Sequence, residues 1–214
     1  MEVPTAERAR VVSLDAITFV VNGEVHQVAV EPQWTLQYVL MEKLGLTGTK
    51  EFCAEGACGA CSVIMDGRPV LSCMMLAIEC EDTTIETIEG IARANHPLID
   101  AYVKHSCMQC GFCTPGFVVT AKALLDRNPD PTVDEIKEAM VGNLCRCGTY
   151  PAHLRAITEA ARVLRGLVEA DDAATTAASV PTNAAIGARA AGMASGGVGP
   201  AAPVGPTEGG AGRE

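Results

Sequence analysis

Aromatic residues are scarce in this 214-residue chain, 4% of the total with a single tryptophan. Stacking platforms for bases or sugars are therefore excluded as the basis of its function. Basic residues are few as well: 16 Lys and Arg stand against 26 Asp and Glu, for a formal net charge of -10 at pH 7. A protein that lives off phosphate contacts needs a basic face, so nucleic acid is excluded as a partner. No apolar run approaches the roughly 20 residues that cross a bilayer, and no transmembrane segment is expected. The stretch MEVPTAERARVVSLDAITFVV has no basic region followed by an uninterrupted apolar one, and an alanine separates Arg8 from Arg10. Neither a secretory nor a twin-arginine signal is read there, and the expected location is cytoplasmic.

What the chain has in excess is cysteine, ten residues, within a composition that is 48% hydrophobic and so able to bury a core. In a reducing compartment, clustered cysteines point to metal rather than to a disulfide framework.

Composition and patterning predict an α+β protein in three parts: residues 1–90, 91–168 and 169–214. In the first, Ile17 to Val21, the turn pair Asn22-Gly23 and Val25 to Val30 predict a hairpin. Apolar spacing from Trp34 to Leu44 predicts a helix stopped by Gly45. Ser62 to Met65, Asp66-Gly67 and Val70 onward repeat the hairpin signature, and Thr83 to Ile88 reads as one more strand. Two hairpins with an intervening helix suggest a β-grasp-like domain. The second part is helical: Pro97 to His105, Pro115 to Arg127, Val133 to Val141 behind a Thr132/Glu135 capping box, and Pro151 to Val168. Four short helices make a small four-helix bundle. In the third part, 27 of 46 residues are Ala, Gly or Pro. Such a segment cannot offset its ordering entropy by burial and is expected to be a disordered tail.

The cysteines form two sets. Cys53-x4-Cys58-x2-Cys61, followed after eleven residues by Cys73, has the plant-type ferredoxin loop spacing. Three thiolates must converge on a small cluster, and Ala54, Gly56, Ala57, Gly59 and Ala60 permit the tight wrap. Zinc motifs instead pair two CxxC-type knuckles, which this loop does not. Cys110-x2-Cys113 and Cys145-x-Cys147 precede two of the predicted helices. Spacing alone leaves that set open between an iron–sulfur cluster and a four-cysteine zinc site. Cys80 and Cys107 read as small buried thiols, although Cys107 extends a C-x2-C-x2-C run that would permit a ligand swap. His26, His96, His105 and His153 are scattered and read as surface or cap histidines.

Cys53-Ala-Glu-Gly-Ala-Cys58-Gly-Ala-Cys61, Gln109-Cys110-Gly-Phe-Cys113-Thr-Pro-Gly116 and Gly142-Asn-Leu-Cys145-Arg-Cys147 together resemble the iron–sulfur subunit of the molybdenum hydroxylases. This is the xanthine oxidase, aldehyde oxidoreductase and carbon monoxide dehydrogenase family. The resemblance spans residues 15–165. It implies a β-grasp [2Fe–2S] domain followed by a helical [2Fe–2S] domain, with the eight cysteines of the two sets as iron ligands. It further implies that Gln109 hydrogen-bonds a molybdopterin cofactor held by a large partner subunit, and that Cys147 contacts the same pterin. Electrons would leave toward FAD on a medium subunit, and substrate chemistry would occur on the large subunit. Gly148-Thr149 reverses the order found in many relatives, an order shared with some N-heterocycle oxidoreductases. The expected function is that of a non-catalytic electron-transfer subunit of an oxidoreductase complex. The alternatives are a stand-alone ferredoxin serving an unrelated oxygenase, and a zinc-stabilised structural adaptor.

Overall fold

The computed structural model describes residues 14–167; the tail expected at 169–214 lies outside them. Strands β1 (Asp15–Val21) and β2 (Glu24–Val30) pair antiparallel, from Asp15 opposite Val30 to Val21 opposite Glu24. Asn22 and Gly23 have φ of 52° and 84°, the two positive values that a type I′ turn demands. The device recurs between β3 (Ser62–Met65) and β4 (Arg68–Leu71), where Asp66 and Gly67 sit at 48° and 77°. Strand β5 (Thr84–Glu86) pairs parallel with β1 and antiparallel with β3. The result is a five-stranded mixed sheet of order β2-β1-β5-β3-β4.

Two expectations shift in detail. The helix read from Trp34 to Leu44 is a short α1 (Leu36–Tyr38), capped by the Thr35 hydroxyl, that passes into a π-helical turn at Val39–Lys43. Strand β5 stops at Glu86 instead of Ile88, because Thr87 is the N-cap of an additional helix, α2 (Ile88–Arg93).

The remaining helices are α3 (Pro97–Lys104), α4 (Thr114–Arg127), α5 (Val133–Met140) and α6 (Tyr150–Leu164). The capping box at α5 forms in both directions between Thr132 and Glu135. His96 caps α3, its Nδ1 accepting from Leu98 N–H at 3.2 Å. Helix α6 ends at Leu164, where Gly166 at φ 68° turns the chain out of the helix; the expected end, Val168, lies outside the described residues. No helix among the described residues is long and apolar enough to cross a membrane.

Two cores result. Ile17, Phe19 and Val21 of β1 pack on Leu36, Val39 and Leu40, while Leu98, Tyr102, Phe117, Ile136 and Ile157 fill the space between the helices. Strand β3 serves both, because successive side chains point to opposite faces. Val63 lies in the sheet core and Ile64 in the helical core.

Candidate metal centres

Cys53, Cys58 and Cys61 lie on the loop entering β3, and Cys73 sits in a 3-10 turn (Ser72–Met74) after β4. The Cys53 thiol neighbours that of Cys58, and the Cys61 thiol neighbours those of Cys73 and Cys58. The loop winds through left-handed backbone at Ala54, Gly56 and Gly59, with φ of 52°, 78° and 71°. That winding turns amide hydrogens inward, and Ala57 N–H donates to Cys53 Sγ at 3.3 Å. The Glu55 N–H, followed by the Cys58 thiol, holds the Cys53 thiol down at about 7. Burial pushes Cys61 up to about 12. Two serines latch the loop: Ser62 Oγ donates to Gly59 O at 2.8 Å, and Ser72 Oγ to Cys61 O at 2.7 Å.

The second set comes from two helix starts. Cys110 and Cys113 precede α4, with Cys113 as its N-cap, and Cys145 and Cys147 lie on the loop before α6. Cys147 Sγ is 3.6 Å from Cys110 Sγ, and the Cys113 thiol reaches that of Cys145. Burial, reinforced by Cys145, pushes Cys113 up to about 12. Burial also works against ionisation of Cys145. It is outweighed there by the Thr149 hydroxyl and N–H, the Cys113 thiol and the Cys147 N–H, which bring the thiol down to about 7. The Cys145 N–H is anchored on Tyr150 Oη at 2.8 Å. Gln109 is exposed, next to exposed Cys110.

All ten cysteines are free thiols. Two sets of neighbouring thiols, each with an amide hydrogen or a hydroxyl at a sulfur, fit the donor set and hydrogen bonding that a [2Fe–2S] centre requires. Cys80 and Cys107 are fully buried, raised by burial to about 11 and about 12, and behave as packed apolar groups.

The two loops meet through their backbones. Leu144 N–H donates to Cys58 O at 2.9 Å, and Asn143 Nδ2 donates to Gly59 O at 3.2 Å. A Cβ on Gly59 would collide with Gly142 O, and one on Gly116 with Gly59 O. Sequence reasoning assigned Gly59 to wrapping the first loop; its second role is to let the other loop approach.

His153 is a correction. It is 1% exposed, not a surface or cap residue, and stacks flat on Phe117 with ring centroids 4.0 Å apart. Its Nε2 lies 3.0 Å from Thr149 Oγ1, and burial alone lowers its pKa to about 4. Donor atoms of Cys113, Cys145 and His153 all fall within 4.8 Å of one another. A signal was available, since position 153 continues the apolar face of 157, 160 and 161 by helical spacing.

Comparison with known proteins agrees with this geometry. Residues 19–82 match the 2Fe-2S iron-sulfur cluster binding domain, and residues 87–158 match the [2Fe-2S] binding domain. The nicotinate dehydrogenase small FeS subunit of Eubacterium barkeri is 51% identical over 131 residues, covering 60% of this chain and 83% of that one. The chain belongs to the iron–sulfur subunits of the molybdenum hydroxylases. A second relative of this subunit, the nicotine 6-hydroxylase small subunit of Paenarthrobacter nicotinovorans, is 44% identical over 141 residues, 65% of this chain and 86% of that one. Quinoline 2-oxidoreductase from Pseudomonas putida 86 superposes with a TM-score of 0.68 at 42% identity, over 73% of this chain and 99% of that chain. Aldehyde oxidoreductase from Desulfovibrio desulfuricans ATCC 27774 gives 0.73 at 37% identity, over 79% of this chain but 19% of that much longer one. The iron–sulfur subunit is thus an electron-transfer component of an oxidoreductase complex.

Proposed function

We propose that the subunit holds two [2Fe–2S] centres, one on Cys53, Cys58, Cys61 and Cys73 in a ferredoxin-like domain (1–90), the other on Cys110, Cys113, Cys145 and Cys147 in a four-helix domain (91–168). When bound, each centre supplies a site that accepts and releases a single electron. The chain fixes the two sites relative to each other, keeps their sulfurs hydrogen-bonded, and presents Gln109 and Cys147 to a molybdopterin held by a large partner subunit. Electrons taken up at that face leave through the ferredoxin-like domain to FAD on a medium subunit. The observation that most supports the reading is that the thiols of each set neighbour one another in pairs, with the two sets joined by the hydrogen bond from Leu144 N–H to Cys58 O. Exposed apolar side chains around the second quartet, Met108, Phe112, Val141 and Leu144, support a partner surface there.

Anaerobically purified protein is expected to contain about four irons per chain and to lose its absorption at roughly 400–550 nm on dithionite reduction. About two irons would remove one of the centres. Co-purification with a molybdenum-containing large chain is expected, and its absence from native preparations would favour the stand-alone ferredoxin.

A further inference from the structure

Helix α6 opens on Thr149, and a threonine at an N-cap ordinarily turns its hydroxyl onto a backbone N–H of the first turn. Here no such bond is made. The hydroxyl lies instead 3.1 Å from Cys145 Sγ and 3.0 Å from His153 Nε2. Thr149, Cys145 and His153 are 8%, 7% and 1% exposed. The imidazole is pinned against Phe117 at 4.0 Å and Tyr102 at 5.3 Å, and its Nδ1 has no partner.

These facts set the direction of the hydrogen bonds. A sulfur bound to iron is a thiolate and can only accept. The single hydroxyl hydrogen of Thr149 then points at Cys145, so its oxygen must accept from His153 Nε2–H. Neutral imidazole in this tautomer leaves a bare lone pair at Nδ1, which matches the absence of a partner there.

We infer that Thr149 and His153 form a donor relay, Nε2–H to Oγ1–H to Sγ, that raises the reduction potential of the centre on Cys110, Cys113, Cys145 and Cys147. The inference rests on the ligand assignment proposed above. Reduction adds one electron, and thus one negative charge, to the centre without making or breaking a bond. A hydrogen bond aimed at a ligand sulfur stabilises the more negative state and so favours reduction. Donation from Nε2–H polarises the hydroxyl and strengthens its bond to sulfur. Both are positioning residues, acting through the sulfur without touching iron.

The test is a redox titration of the full-length protein with dithionite and mediators at one fixed pH, followed by electron paramagnetic resonance. In Thr149→Val the oxidised-to-reduced ratio of one centre at a given potential is expected to rise about tenfold, equivalent to about 59 mV for a one-electron couple. The other centre stays in place and the iron content is unchanged. Thr149→Ser keeps the hydroxyl and restores the original potential. His153→Phe keeps the stacking and shifts the same centre the same way, by about threefold. Where Thr149→Val does not retain the centre, His153→Phe and Thr149→Ser decide the matter. Unmoved potentials, a common shift of both centres, or a serine variant that behaves like valine would overturn the relay. Loss of iron in His153→Phe would do so too, by making the imidazole a ligand. A wild-type protein with one centre only would instead overturn the ligand assignment, and the relay with it.

Discussion

The two cysteine sets, proposed to hold one centre each, are built by different means. The first is a loop that folds on itself: Cys58, Cys61 and Cys73 are at most 9% exposed, and the inward hydrogens come from its own amides. The second is assembled from two separate helix starts, leaves Cys110 at the surface, and depends on a threonine side chain to favour the thiolate of Cys145. Among the substitutions, only proline removes a backbone N–H, whereas a hydroxyl is lost on any change to an apolar side chain. The electrostatics of the first set therefore rest on its backbone, whereas those of the second rest in part on one replaceable side chain.

Replacing one proposed ligand in each set gives the largest contrast. Cys61→Ser, at 2% exposure, is expected to lose about half the iron and about 4 kcal/mol or more of stability. Cys110→Ser loses a similar share of iron with less than half that cost; equal losses in denaturant titrations would erase the distinction. Next comes the seam between the sites. Gly116→Ala drives a methyl into Gly59 O and is expected to cost about 3 kcal/mol, whereas Gly111→Ala, at φ 80° with open space around it, costs about 1 kcal/mol. Similar melting temperatures for the two would mean that the loops separate freely.

A smaller effect is confined to the helical region. Burial favours protonation of Glu159, but the bonds from Lys104 Nζ at 2.8 Å and from His105 Nε2 win and hold its carboxyl below the ordinary 4.5. The folded-state value is depressed, so the stabilisation is present above the ordinary value and lost as pH falls below it. Glu159→Gln should cost about 1–2 kcal/mol at neutral pH and less in acid. An unchanged acid limb in the variant would place the sensitivity elsewhere. The smallest effect belongs to Arg93, whose 3.1 Å bridge to Glu24 is 62% and 65% exposed. Arg93→Ala should change stability by less than about 0.5 kcal/mol; a larger loss would show that charge, not packing, joins the sheet to the helices.

Features legible in the sequence are those whose cause lies within a few residues. Asn22-Gly23 and Asp66-Gly67 carry their turn type in their own backbone preferences, and Thr132 with Glu135 carries both halves of a cap. The spacing of Cys53, Cys58 and Cys61 is local in the same way. The π-helical turn at Val39–Lys43 was not legible, because its extra residue per turn is chosen by how Val39 and Leu40 meet the sheet core. Helix α2 was missed because Thr87 and Ile88 favour a strand, and the Asn22 side chain, 65 residues away, holds Thr87 at the turn. The burial of His153 depends likewise on Phe117, which arrives on another helix.

Strand β3 belongs to both cores, with Val63 on one side and Ile64 on the other. Anyone trimming the polypeptide near residue 90 to obtain a miniature redox carrier would leave Ile64 wet, together with the backbone face that Gly59 turns toward Gly116. The remedy written into the alternation is a polar residue at 64 and an untouched 63, so that a freed ferredoxin half would stay dissolved instead of pairing through its stripped flank.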